Sequence, residues 1–204
     1  MNEIEFYINN FSFLNKNDVP DLSFMPMLQR RKLSNVNRAA FYTLNNCYDD
    51  SIENIIYSSE NGELERLDVL IKQYQENNEV SPSAFSSSVH NSSVGSFALF
   101  KQYNKNYTAL SSCNNSFSMG LLNAIIDKSN NKLYCYADTT NEINSICINI
   151  SKYKNQNSKK YILKQNQNKD VSSLNEAKAF INLLMGNCNT INYSIYTVER
   201  MEND

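Results

Sequence analysis

His90 is the only histidine in the chain, so imidazole acid–base chemistry near neutral pH has to run through it. It lies in Ser81-Pro-Ser-Ala-Phe-Ser-Ser-Ser-Val-His-Asn, residues 81 to 91. Cys113 follows Ser112 between the strand-like Tyr107-Thr-Ala-Leu-Ser and the helix-like Ser116-Phe-Ser-Met-Gly-Leu-Leu-Asn-Ala-Ile-Ile. A thiol at a helix N-terminus is a nucleophile position, and with His90 as its base it would make a small acyltransferase or thioesterase-like enzyme. The residues after Cys113 are Asn114, Asn115 and Ser116, which supply neither a cation nor a base. An inert, partly buried thiol is therefore favoured over a reactive one.

The other cysteines add no second chemistry. Cys47, Cys113, Cys135, Cys147 and Cys188 are odd in number, widely spread, and without Cys-x-x-Cys spacing or a histidine cluster. Reduced thiols are expected rather than a disulfide framework or a metal site. Arg30-Arg31-Lys32 would suit an acidic carrier protein, but three adjacent basic residues are more often a solvated face.

At 204 residues the chain fits a single core-forming domain spanning 1–204. Hydrophobic residues make up 41% and charged residues 20%, a composition that folds rather than stays disordered. A net charge of -2 and a pI near 5.5 leave no basic footprint for nucleic acid. No apolar run approaches the ~20 residues of a membrane span, and Met1-Asn-Glu-Ile-Glu lacks the basic and apolar regions of a signal peptide. A cytoplasmic protein is expected. Sequons such as Asn91-Ser-Ser follow from the abundance of asparagine alone.

The positioning elements alternate strand and helix. Glu5–Leu14 is aromatic and β-branched enough for an opening strand, and 15–28 reads as loop and turns. Helical spacing begins at Ser34, a fitting N-cap, and runs to Leu44. Ile52–Ser58 is a strand, Asn61-Gly62 a turn, and Leu64–Gln75 a helix. After a loop at Pro82, Val89–Tyr103 reads as a helix, Tyr107–Ser112 as a strand, and Phe117–Ile126 as a largely buried helix. Lys132–Asp138 and Ser145–Ser151 alternate at period two, the pattern of half-buried strands. Lys152–Asp170 reads as a solvated excursion, Ser173–Met185 as a helix, and Ile191–Val198 as a closing strand. This order predicts an α/β sheet layered with helices.

Four separated stretches in this order carry a family resemblance. They are Met27-Leu-Gln-Arg-Arg-Lys-Leu-Ser with Asn37-Arg38, then Asn61-Gly-Glu-Leu-Glu-Arg, then residues 81–91 with Gly95, and then Tyr107 through Gly120. Together the chain resembles the small β-ketoacyl synthase N-terminal-like family, whose members are described as chain-length-factor-like proteins beside type II fatty-acid or aryl-polyene synthesis enzymes. The resemblance covers most of 20–128 and is strongest over 81–121.

That resemblance implies a thiolase-like half: a central mixed sheet of about five strands flanked by helices. It also implies where a synthase would keep its nucleophile, at the strand-to-helix turn. Counting back from Gly120 puts this position on Ser112, with Cys113 one residue late. One residue turns a side chain by about 100° around a helix, so Cys113 should miss a synthase-type pocket unless the turn is reshaped. The resemblance further implies that the histidines, or histidine and asparagine, that hold the malonyl thioester belong to a C-terminal half, which this chain is expected to lack. His90, beside Asn91, falls on a helix near the dimer interface and is expected to be structural.

The expected role is then a non-catalytic subunit pairing with a complete β-ketoacyl synthase, without a cofactor of its own. Acyl carrier protein, bearing its phosphopantetheine thioester, is a further partner through the synthase. The strand Tyr107–Ser112, including Ala109, is the edge a partner would extend. Phe85, Ser88, His90 and Asn91 would lie by the partner or its acyl tunnel.

Overall fold

The computed structural model describes residues 3–166 and 175–201. Its strands are β1 (Ile4–Asn15), β2 (Asn54–Ser58), β3 (Asn106–Leu110), β4 (Asn131–Ala137), β5 (Ile143–Ser151), β6 (Lys159–Gln165), β7 (Thr190–Asn192) and β8 (Tyr196–Arg200). Its helices are α1 (Met27–Arg30), α2 (Asn35–Cys47), α3 (Leu64–Asn77), α4 (Pro82–Ser86), α5 (Ser92–Lys101), α6 (Ser116–Ile126) and α7 (Glu176–Met185). The strands form one mixed sheet in the order β3-β2-β4-β5-β1-β6-β8-β7. β2 runs parallel to both neighbours, β3 and β4. These parallel pairings require crossovers, supplied by α3–α5 between β2 and β3 and by α6 between β3 and β4.

Both faces of the sheet are covered. On one, α2 and α5 lay Val36, Ala40, Phe41, Leu44, Val94 and Phe97 over Ile55, Tyr57, Leu133 and Cys135. On the other, α6 and α7 lay Phe117, Leu121, Ala124, Phe180 and Leu184 over Ile56, Tyr134, Tyr136, Ile146 and Ile148. Successive residues of β4 therefore serve opposite cores, the pleat doing the sorting. Helix α2 starts as its sequence predicts, with the Ser34 hydroxyl accepting the Asn37 N–H at 3.1 Å. Helix α6 crosses β2 and β4 at Gly120, where an added Cβ would sit 2.6 Å from the Ser58 hydroxyl and 2.6 Å from the Tyr134 ring.

The α/β class stands, and several sequence expectations are corrected. The sheet has eight strands rather than about five. The predicted excursion over 152–170 contains β6, whose buried Tyr161-Ile162-Leu163 is disguised by flanking Lys159, Lys160, Lys164 and Gln165; residues 167–170 lie outside the described residues. The closing run is a β7–β8 hairpin, closed by the Tyr193 N–H on the Tyr196 carbonyl at 2.8 Å. β4 and β5 are buried on both faces, not half-buried, because helices cover each side. The loop at Pro82 begins with the short helix α4, and α5 begins at Ser92, leaving His90 in the turn before it. The helix predicted from Ser173 starts at Glu176, and residues 173 and 174 lie outside the described residues.

Candidate functional site

The parallel strands β3, β2 and β4 end together, and the carboxyl ends of such strands are where α/β folds place their sites. β3 turns into α6 through Ser111–Asn115. Cys113 is the pivot of this turn, exposed and in the left-handed region at φ 47°. Such backbone is uncommon for a residue with a Cβ. The turn thus departs from a plain helix start at Cys113, the residue after Ser112. The Ser112 N–H donates to the Ser116 hydroxyl at 2.9 Å, and that hydroxyl donates to the Cys113 carbonyl at 2.7 Å.

Beside this elbow is a polar cavity of about 320 Å³, lined by Glu60, Asn114, Phe117, Tyr136, Asn141, Asn175, Glu176 and Ala177. The N-termini of α6 and α7 both reach it. The Glu176 carboxylate accepts the Ser118 N–H at 2.9 Å and the Ser118 hydroxyl at 2.7 Å, in the first turn of α6. Burial pushes the Glu176 carboxyl above its ordinary range, with Glu60 adding to the rise and the Ser118 bonds opposing it. Asn175 caps α7 by accepting the Ala177 and Lys178 N–H groups. Beneath the elbow the interior is filled: Tyr134 donates to the Phe117 carbonyl and Tyr196 to the Ser118 carbonyl, both at 2.6 Å. Tyr193 and Phe180 pack against Phe117.

Asp138, at the end of β4, fixes the loops around the cavity. It accepts the Asn61 N–H at 2.8 Å, the Thr140 N–H at 3.1 Å and the Thr140 hydroxyl at 2.6 Å. Burial raises its carboxyl, but these bonds outweigh burial and hold it below the ordinary range.

His90 belongs to another part of this rim. Its Nε2 donates to the Ser59 carbonyl at 3.1 Å, and its ring meets Tyr57 edge-on at 5.9 Å. Gly62, at φ 56°, leaves room for the ring; a Cβ there would lie 3.0 Å from His90 Cδ2. Among the described residues no hydrogen bond joins His90 to Cys113. Phe85 is exposed on α4, the Ser88 hydroxyl returns to the Phe85 carbonyl at 2.8 Å, and Asn91 stands exposed at the start of α5 without capping it through its side chain.

β3 is the outer strand of the sheet, hydrogen-bonded among the described residues to β2 alone. Tyr107 is 42% exposed on it, while Ala109 is half-buried against the α2–α5 core. Sequence reasoning missed Glu60, Asn141 and Glu176 as cavity residues. The Asn-Glu pair before Ala177 carries an N-cap signal, but nothing in it says that the carboxylate faces another helix.

A family model described as "Beta-ketoacyl synthase, N-terminal domain" matches residues 8–139. Among solved structures, the ketosynthase ApeO in complex with its chain length factor ApeC from Xenorhabdus doucetiae matches with a TM-score of 0.72 at 19% identity, covering 92% of this chain and 87% of the matched one. No curated protein sequence matches the chain. The fold is thus thiolase-like, as the resemblance implies, and among the described residues no helix is long and apolar enough to cross a membrane.

Proposed function

The chain belongs to the β-ketoacyl synthase N-terminal domain family, and from that premise we propose that it is a chain-length-factor-like subunit without turnover of its own, paired with a complete β-ketoacyl synthase. The open edge of β3 carries this reading. Parallel strands are normally covered, and exposed edges are usually blunted by charge, proline or brevity. β3 instead offers Asn106-Tyr-Thr-Ala-Leu, without a charge or a proline, to whatever strand comes alongside. An antiparallel strand from the synthase would complete the sheet by main-chain hydrogen bonds.

The state of the elbow agrees with the absence of turnover. Among the described residues no hydrogen bond joins the Cys113 side chain to a base, His90 is committed to Ser59, and aromatic side chains fill the space below α6. Phe85, 58% exposed, would lie on the partner's side, where its bulk sets how long an acyl chain the synthase can hold. The structure matched here joins a ketosynthase to its chain length factor, and the same division of labour is proposed for this chain. A type II fatty-acid or aryl-polyene pathway, with an acyl carrier protein delivering thioesters to the synthase, is the proposed setting.

The test is co-expression with a complete β-ketoacyl synthase from the same organism, followed by size exclusion and analysis of product chain length. A stable pair whose products shift in length when Phe85 is replaced by Ala supports the proposal. A lone monomer that leaves the synthase's products unchanged overturns it.

A further inference from the structure

The first turn of α6 is the place where a condensing-enzyme fold needs free backbone donors, because an oxyanion or thiolate at the elbow is stabilised by helix N-terminal N–H groups. In this chain the N–H groups of Ser112, Ser116 and Ser118 are already engaged, that of Ser116 by the Cys113 carbonyl at 3.0 Å. The Ser118 N–H holds one Glu176 oxygen and the Ser118 hydroxyl the other, while the Ser112 N–H is held by Ser116. Glu176 is itself the first residue of α7, so its carboxylate lies where two helix N-termini converge on one cavity. Glu60 lines the same cavity and adds a second acidic group.

We infer that Glu176 is a built-in plug: its carboxylate occupies the anion position of the α6 N-terminus and keeps the Cys113 elbow from stabilising an incoming negative charge. This deepens the proposed absence of turnover and rests on that reading for its meaning. It also supplies a reason that the missing base does not, since an elbow of this shape would otherwise retain an oxyanion-binding helix end. Glu176 acts through Ser118 and α6, so it is a positioning residue. The carboxylate also ties α7 to α6, and the plug therefore doubles as a clasp between the two helices of that face.

The experiment uses the isolated full chain, so its outcome is independent of partner binding. Glu176→Ala removes the carboxylate and leaves the Ser118 N–H facing a cavity open to small anions. Its melting temperature should fall by on the order of 5 °C in chloride. Acetate at matched ionic strength should restore most of that loss while leaving the wild type unmoved. Alkylation of Cys113 by iodoacetamide, followed on its peptide by mass spectrometry, should run at least about threefold faster in the variant, and acetate should slow it again. Should Glu176→Ala not fold, Glu176→Gln keeps an acceptor for the Ser118 N–H without the charge, and Cys113 must still react faster than in the wild type. Acetate and chloride acting alike on Glu176→Ala overturns the plug, and so does a Cys113 rate unchanged in either variant.

Discussion

Asp138 and Glu176 sit at the same end of the sheet with opposite electrostatic signs. The Asp138 carboxyl is lower in the folded chain than its ordinary value of 3.8, because the Thr140 and Asn61 bonds outweigh burial. Its stabilisation is therefore present above that value and is lost as pH falls through the folded one. Asp127 behaves likewise, burial being outweighed by bonds from Ser129 and Asn54. Glu176 and Glu63 are raised above 4.5, chiefly by burial, so their contribution is complete below 4.5 and declines as pH rises through the folded values. Melting temperature measured between about pH 3 and 8 should therefore peak on the acid side of neutrality. Asp138→Asn should cost about 2 kcal/mol of stability at neutral pH, since an amide donor would face the Asn61 or Thr140 N–H, and should flatten the acid limb of the melting-temperature profile. An acid limb as steep as the wild type's would contradict this assignment. Cys113 and His90 were legible as candidates from their residue types, but the partner that holds His90, a carbonyl on the β2–α3 loop, was not, since it depends on how that loop folds back. Accordingly, Cys113→Ala should leave the product profile of the proposed partner synthase unchanged, whereas loss of a catalytic thiol would abolish thioester turnover.

Among the elements, α6 and β3 were the most readable. The apolar run of α6 and the position of Gly120 both follow from a helix pressed onto β2 and β4. Gly120→Ala should cost about 1–3 kcal/mol by forcing Ser58 and Tyr134 apart, and chemical denaturation would measure it. β6 was not readable, because its short apolar centre is flanked by charged and amide side chains that sit at its ends. α3 shows the converse failure of periodicity. Leu64, Leu67, Ile71 and Tyr74 recur at helical spacing, yet only Leu70 of α3 is buried and the others stay exposed. Apolar period reports an apolar face, and the rest of the fold decides whether anything covers it.

At the scale of the molecule, alternation of strand and helix was enough to specify an α/β sheet layered with helices. It was not enough to count strands, because β6 has its short apolar centre masked by lysine and glutamine, and β7 and β8 form a hairpin with no helix between them to mark two strands. The outcome matters for function. The antiparallel side of the sheet ends in a three-residue strand, β7, while the parallel side ends in β3, which among the described residues pairs as a strand with β2 alone. A charge on that edge, as in Thr108→Lys with Tyr107→Glu, should leave folding nearly intact and prevent co-elution with the synthase.

The most direct test of pairing through this edge is hydrogen exchange of the β3 amides, Asn106–Leu110, with and without the synthase. Slowing of exchange in β3 on mixing, by at least about tenfold and absent in the Thr108→Lys, Tyr107→Glu chain, is the predicted result. Unchanged exchange in β3 in a mixture that nevertheless forms a complex would place the interface elsewhere and contradict the account.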